Sequence, residues 1–170
     1  MAETPQEYSQ RMLGNLEGAD PLKSQAAAPK KLARLLKGAS PAKLRKRPAP
    51  AKWSIAEIAA HLADCEIVTG WRMRQILGAP GTPIQAFDQD SWASALHYEK
   101  RDAHKSLALF QTLREGNVAL LKSLSPAQWN QFGMHAERGE ESIRRIVSMM
   151  AGHDVNHLRQ IERILNPGKA

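Results

Sequence analysis

WSIAEIAAHLADCEIVTGWRMRQILG, residues 53–78, is the stretch on which the fold turns. Ile55, Ile58, Leu62, Cys65, Thr69, Met73 and Ile76 recur at steps of three and four, so they share one face of a helix. Ser54 followed by Glu57 forms a capping box that starts the helix, and Gly78 ends it. His61 falls three residues after Ile58 and four before Cys65, beside the buried stripe. A long helix with one apolar stripe must bury that stripe against other elements.

The partner with most information is ESIRRIVSMMAGHDVNHLRQIERIL, 141–165. Its stripe runs Ile143, Val147, Met150, Asp154, His157, Ile161, Ile164, with His153 at the edge. Both histidines face inward, and four-residue spacing stacks them on one side. Asp154 and His157 interrupt an apolar seam, where unpaired polar groups are costly. A metal, a hydrogen-bond network or a wet pocket would each compensate. Spacing alone leaves open whether HxxxH is a ligand pair or two ordinary core residues. The motif lacks the glutamate of HExxH, which excludes the zinc-protease arrangement.

Two further long helices complete a set of four. ADPLKSQAAAPKKLARLLKG reads as helical from Asp20 to a stop at Gly38, with Pro29 kinking or restarting it. EKRDAHKSLALFQTLREGNVALLKSL, 99–124, carries Leu107, Phe110, Leu113, Val118 and Leu121, and is weakened at Gly116. Shorter pieces are TPQEYSQRMLG with the capping pair Thr4 and Glu7, SPAKLRKR, DQDSWASA and SPAQW. GAPGTPIQAF and MHAERGEE read as loops. The expectation is an all-α four-helix bundle with short accessory helices, one domain over 1–170, and residues 1–30 as an N-terminal helical extension.

The 170 residues are 42% hydrophobic, enough for a core. No apolar run reaches the roughly 18 residues of a membrane span, and MAETPQEYSQ has no signal-peptide core. Cys65 is the single cysteine, so no internal disulfide forms, and a reducing cytoplasm is the expected setting. Net charge is +7 and local in origin: ten basic residues and no acid lie between Pro21 and Ala56. No nucleic-acid motif or interleaved aromatics accompany them, so a solvated face is expected and nucleic acid is not a partner. The alternative use for this stretch is to hold an anionic substrate or thiol.

KWSIAEIAAHLADCE followed far downstream by GHDVNHLRQIERIL resembles the DinB/YfiT-like metalloenzyme superfamily. The resemblance rests on Trp53-Ser54, on His61-Leu62-Ala63-Asp64-Cys65-Glu66, and on His153, His157, Gln160 and Ile161, with the layout running from about Leu32 to Leu165. It implies an up-down-down-up bundle and one divalent metal (zinc, nickel or iron) on His61, His153 and His157. It also implies a homodimer and a small-molecule substrate. Relatives act as thiol S-transferases or other metal-dependent enzymes, so a low-molecular-weight thiol cosubstrate or a hydrolysis is expected. The competing expectation is a non-catalytic metal module.

Asp64 and His135 are the candidates for acid–base work, although a solvent-facing acid and a surface histidine are the simpler expectations for them. Cys65 is a candidate fourth ligand, with a small buried hydrophobe the simpler expectation. His97 and His104 are expected on the surface.

Overall fold

The computed structural model describes residues 3–168; Met1–Ala2 and Lys169–Ala170, the two ends of the expected domain, lie outside the described residues. Helix α1 spans Pro5–Gly14, α2 Pro21–Leu36, α3 Pro41–Arg45 and α4 Ile55–Gly78. Strand β1 (Pro83–Ile84), helix α5 (Gln89–Ala95) and a 3-10 turn (Tyr98–Lys100) precede α6 (Ala103–Lys122). Then come α7 (Pro126–Trp129), β2 (Phe132–His135), β3 (Gly139–Ser142) and α8 (Ile143–Leu165). The expected capping boxes form: the Thr4 side chain accepts from Glu7 N, the Ser54 side chain from Glu57 N, and each glutamate returns to the cap backbone. Helix α6 runs unbroken through Gly116, which faces open space.

Two apolar clusters reveal the helix directions. One joins Ile55, Ile58 and Leu62 at the start of α4 with Leu107 and Phe110 at the start of α6. The same cluster includes Leu32 and Leu36 at the end of α2 and Leu158 and Ile161 at the end of α8. The other joins Met73 and Ile76, Leu121, and Ile143, Ile146 and Val147, with Leu22 packed against it: the opposite ends of the same helices. Helices α4 and α6 therefore run together, against α2 and α8, an up-down-down-up bundle. The long connection from α4 to α6 follows from that parallel pairing.

Pro29 neither stops nor restarts α2. It has no N–H to offer the Gln25 carbonyl one turn back. Arg114 Nη1 of α6 donates to that oxygen at 2.7 Å instead.

Arg114 is 1% exposed and forms the polar centre of the bundle. Nη1 and Nη2 donate to Asp154 of α8 at 2.6 and 3.2 Å, and Nη2 to Glu66 Oε1 of α4 at 2.9 Å. Asn117 Nδ2 satisfies Glu66 Oε2 at 3.0 Å. Burial alone would weaken the guanidinium's charge, but Asp154 and Glu66 outweigh it and hold its pKa above the ordinary value. One residue on α6 thus ties together α2, α4 and α8.

A small sheet departs from the all-helical expectation: β1 pairs parallel with β2, and β2 antiparallel with β3. Its strands overlap the two stretches expected to be loops, of which residues 79–82, 85–87 and 136–138 remain turn or irregular. Their sequences lack the alternating β-branched residues that mark strands, and what orders them is tertiary. Ile84 is buried in the second cluster, and Glu141 is buried because Arg138 clasps it at 2.8 and 2.9 Å. Gly139 turns the hairpin with φ +72°, a conformation glycine adopts without strain.

Helix α1 packs on α8 through a close backbone approach. Met12 is fully buried, and a Cβ on Gly152 would lie 1.7 Å from Met12 O. Asn15 Nδ2 donates to Gly152 O at 3.2 Å. Among the described residues, no helix is long and apolar enough to cross a membrane. All ten basic residues of 21–56 are exposed.

Candidate functional site

His61 is presented by the second turn of α4, and His153 and His157 by successive turns of α8; the three are 2%, 5% and 7% exposed. His61 Nε2 lies 3.0 Å from His153 Nε2, and His157 Nε2 lies 3.1 Å from the same atom. Trp53, just before the Ser54 cap, covers the cluster. Its ring stacks on His157 at 6.5 Å and tilts against His61 at 4.9 Å.

Proton placement makes this crowding informative. His157 Nδ1 faces Gln160 Oε1 at 3.0 Å, so Nδ1 carries the proton and Nε2 is bare. His153 Nε2 then meets two ring nitrogens with one site of its own. If it is protonated, the proton serves only one neighbour. If it is bare, it opposes the bare nitrogen of His157. Three neutral imidazoles cannot satisfy both contacts with hydrogen bonds, and His153 Nδ1 is buried with no partner.

A cation resolves the conflict. Nitrogens about 2.0–2.1 Å from one ion stand about 3.3 Å apart in a tetrahedron and about 2.9 Å apart when ligands are mutually perpendicular; the observed 3.0 and 3.1 Å fall in that range. Burial drives the pKa of His61 and of His153 well below the ordinary histidine value, and that of His157 down to about 4. All three therefore offer lone pairs at neutral pH. The two contacts of His153 have the spacing of donors to a divalent ion, and His61 and His153 belong to a donor set whose atoms all lie within 4.8 Å of one another.

Cys65 stands one turn beyond His61, with Sγ 3.5 Å from His61 Nε2. Its sulfur completes, with His61 and His153, the donor set whose atoms all lie within 4.8 Å of one another among the described residues, and His157 is not in that set. Burial, reinforced by Asp154, Glu66 and Asp64, pushes the thiol's pKa up, so without a cation Cys65 is neutral. The two sets share His61 and His153 and differ in whether a nitrogen or a sulfur completes them.

His61 and His153, but not His157, line a cavity of about 650 Å³. Helix α4 lines it with His61, Cys65, Thr69 and Arg72, and α8 with Met149, Met150 and His153. Tyr8 of α1, Phe87 of the α4–α6 connection and Arg138 of the β2–β3 turn close it. Desolvation pushes the Tyr8 hydroxyl's pKa up to about 12, so it remains a donor.

His135 also lines this cavity and is 3% exposed, not on the surface. Glu137 N donates to His135 Nδ1 at 3.2 Å, which puts the proton on Nε2. Burial, with Arg138 next in effect, lowers its pKa and keeps it neutral.

Asp64 is placed differently. It is buried rather than solvent-facing, accepting from Tyr98 Oη at 2.8 Å and Arg101 Nη1 at 2.9 Å, and it does not line the cavity. His97 and His104 are exposed, as expected. None of the ten residues of the basic stretch lines the histidine cavity; Lys43, Lys46, Arg47 and Lys52 border a separate cleft with Arg163 and Gln160 of α8.

Tyr8, Thr69, Arg72, Phe87 and Arg138 were absent from the candidates read in the sequence. For Arg72 a signal existed: it lies eleven residues, about three turns, beyond His61 on one helix. Tyr8 and Arg138 reach the cavity only through the docking of α1 and the hairpin, which no local pattern encodes.

A protein of Oceanobacillus iheyensis bearing the name "Putative metal-dependent hydrolase" is 28% identical over 109 residues, 64% of this chain and 63% of the relative. One from Bacillus licheniformis with the same description is 28% identical over 112 residues, 65% of this chain and 63% of its own. The chain thus spans less than two thirds of the length of these relatives. YfiT from Bacillus subtilis, described with its structure as "a probable metal-dependent hydrolase with an unusual four-helix bundle topology", superposes with a TM-score of 0.80 at 19% identity. That superposition covers 98% of this chain and 90% of YfiT, and at such identity it speaks for the fold. The family model of the DinB superfamily matches residues 26–161, from α2 into α8 and across all three histidines, and the chain belongs to that superfamily.

Proposed function

We propose that this protein is a divalent-metal-dependent enzyme acting on a small molecule, with His61, His153 and His157 as the three metal ligands. The observation that carries the reading is the pair of Nε2 contacts at 3.0 and 3.1 Å among buried, neutral imidazoles. Three protein donors with one position left for water or substrate is the ligand count of catalytic rather than structural sites. A divalent ion bound there lowers the pKa of a water or thiol toward neutrality and supplies a nucleophile for hydrolysis or thiol transfer.

The chain's own residues do the rest. Gln160 fixes the His157 ring so that Nε2 points at the cluster. Trp53 excludes water from one side. His135, protonated on Nε2, and the Tyr8 hydroxyl are donors lining the cavity, placed to protonate a leaving group or steady a developing oxyanion. Asp64 acts through structure: it anchors Tyr98 and Arg101 against α4.

The relatives' description as metal-dependent hydrolases supports hydrolysis first. Thiol transfer is the second reading, favoured by three uncharged donors that leave the ion's charge for an anionic thiolate. A non-catalytic metal module is the third, favoured by the short Cys65–His61 distance, since sulfur in the fourth position would close the site.

The chain acts as one domain over 1–170, with α1 a wall of the cavity through Tyr8. Its setting is the cytoplasm, where Cys65 stays reduced. It pairs as a homodimer: Ile67 and Trp71 stand one turn apart on the outer face of α4, 48% and 62% exposed.

The test is a zinc titration of apo protein followed by calorimetry. Wild type and Cys65→Ala should each take up about one ion per chain, and His157→Ala should lose tight binding while keeping its helical circular dichroism. Full binding by His157→Ala together with loss in Cys65→Ala would overturn the three-histidine assignment.

A further inference from the structure

Helix α4 carries His61, Cys65, Thr69 and Arg72 along a single wall of the cavity. Spacings of four, four and three keep them on one face, about 16 Å from the first Cα to the last at 1.5 Å per residue. Arg72 lines the same cavity as His61 and His153. The stripe thus runs from the proposed metal to a cation.

Arg72 is unlike the other arginines of the interior. Arg114 is clasped by Asp154 and Glu66, Arg101 by Asp64, and Arg138 by Glu141. Arg72 has no carboxylate at salt-bridge distance among the described residues. Its Nη2 donates to the Gln85 carbonyl, and its guanidinium lies 5.7 Å from the Phe87 ring centre. Both contacts hold the group in place without neutralising it.

The acids bordering the cavity are not positioned to neutralise it either. Glu3 gives both oxygens to Arg11 at 2.7 Å, Asp88 caps α5 through Ser91 N at 2.6 Å, Glu137 is exposed, and Glu141, the acid whose charge reaches Arg72, gives both oxygens to Arg138 at 2.8 and 2.9 Å. A half-buried, immobilised cation without a counter-ion in a cavity is completed by an anionic ligand. Partial burial, with the nearby Arg138 next in effect, lowers its pKa, and the opposing charge of Glu141 offsets only part of this.

We infer that Arg72 anchors a carboxylate or phosphate group of the substrate, which spans the cavity from the histidine cluster to this guanidinium. The inference rests on the proposed metal site and names the substrate class for it: a small acid whose reacting atom and anionic group sit at opposite ends. Arg72 positions; it does not act on the reacting atom.

Cobalt-loaded protein tests this with ω-mercapto compounds of graded chain length in three forms: carboxylate, phosphonate and neutral alcohol. Sulfur binding to cobalt is read from the thiolate charge-transfer band. In wild type, a carboxylate or phosphonate of matching length should bind roughly tenfold or more tighter than the alcohol of equal length. The preference should shrink with added salt and disappear in Arg72→Gln, while the cobalt d–d spectrum is unchanged. Whichever anion shows the larger preference identifies the group.

Equal affinity of all three forms for wild type at every length would overturn the inference and leave the metal site standing. A preference that survives intact in Arg72→Gln would overturn it too. Absence of a histidine-type cobalt spectrum in wild type would remove the metal reading and this inference with it. If Arg72→Gln does not fold, the wild-type comparison of anion with alcohol still decides.

Discussion

Replacing Gly152 with alanine probes the contact that docks α1. The new Cβ would sit 1.7 Å from Met12 O, whereas ordinary contact begins at 3.4 Å. The obstacle is backbone, so no rotamer relieves it, and α1 must withdraw by the difference. Withdrawal exposes part of Met12, whose full burial is worth about 1.5–3 kcal/mol, and breaks the Asn15–Gly152 bond, worth about 0.5–1.5 kcal/mol. Alanine's helix propensity returns about 1 kcal/mol. The net is a destabilisation of about 1–3 kcal/mol. The same substitution at Gly116, exposed within α6 with open space around it, should stabilise by about 0.5–1 kcal/mol. Urea unfolding at unchanged slope gives both values, and hydrogen exchange over residues 5–14 should show α1 opening more often in Gly152→Ala. If Gly152→Ala is as stable as wild type with α1 protection intact, the close approach of α1 to α8 is wrong.

Two other perturbations have definite signs. Arg114→Met strands Asp154 and Glu66 in the core and orphans the Gln25 carbonyl, so it should cost about 3–5 kcal/mol in urea unfolding; a loss under about 1 kcal/mol would refute the central role given to this residue. Metal-free protein should lose stability as pH falls from the ordinary histidine value, 6.5, toward 4, because the unfolded chain takes up protons that buried His157 refuses. His157 alone contributes a slope of about 1.4 kcal/mol per pH unit over that window; Asp154, whose carboxyl burial raises to about 6, opposes it below that pH, and His61 and His153 add to the His157 slope and leave a net loss. Stability that is flat from pH 7 to 5 in chemical denaturation would contradict the neutral, buried cluster.

The four long helices were legible because their stripes repeat at three and four and their caps are local: Ser54 with Glu57 lies within one turn of the helix it starts. The inward direction of His61, His153 and His157 followed from the same periodicity. What escaped is non-local. Asp154 broke an apolar seam visibly, but its partner Arg114 lies forty residues away in a stretch, LREGN, that looks like solvent-exposed charge. The strands of 132–142 have no alternation to read, and His135 is buried only because the hairpin docks on the bundle. Pro29 looked like a helix break because its remedy, the Arg114 guanidinium, comes from another helix.

The donor set around the ion is the central claim, and X-ray absorption at the metal edge of zinc-loaded protein measures it directly. Three imidazole nitrogens at about 2.0–2.1 Å and a light fourth atom, with no sulfur, is the expected first shell. A sulfur at about 2.3 Å with only two imidazoles, or protein that takes up no zinc, would contradict it.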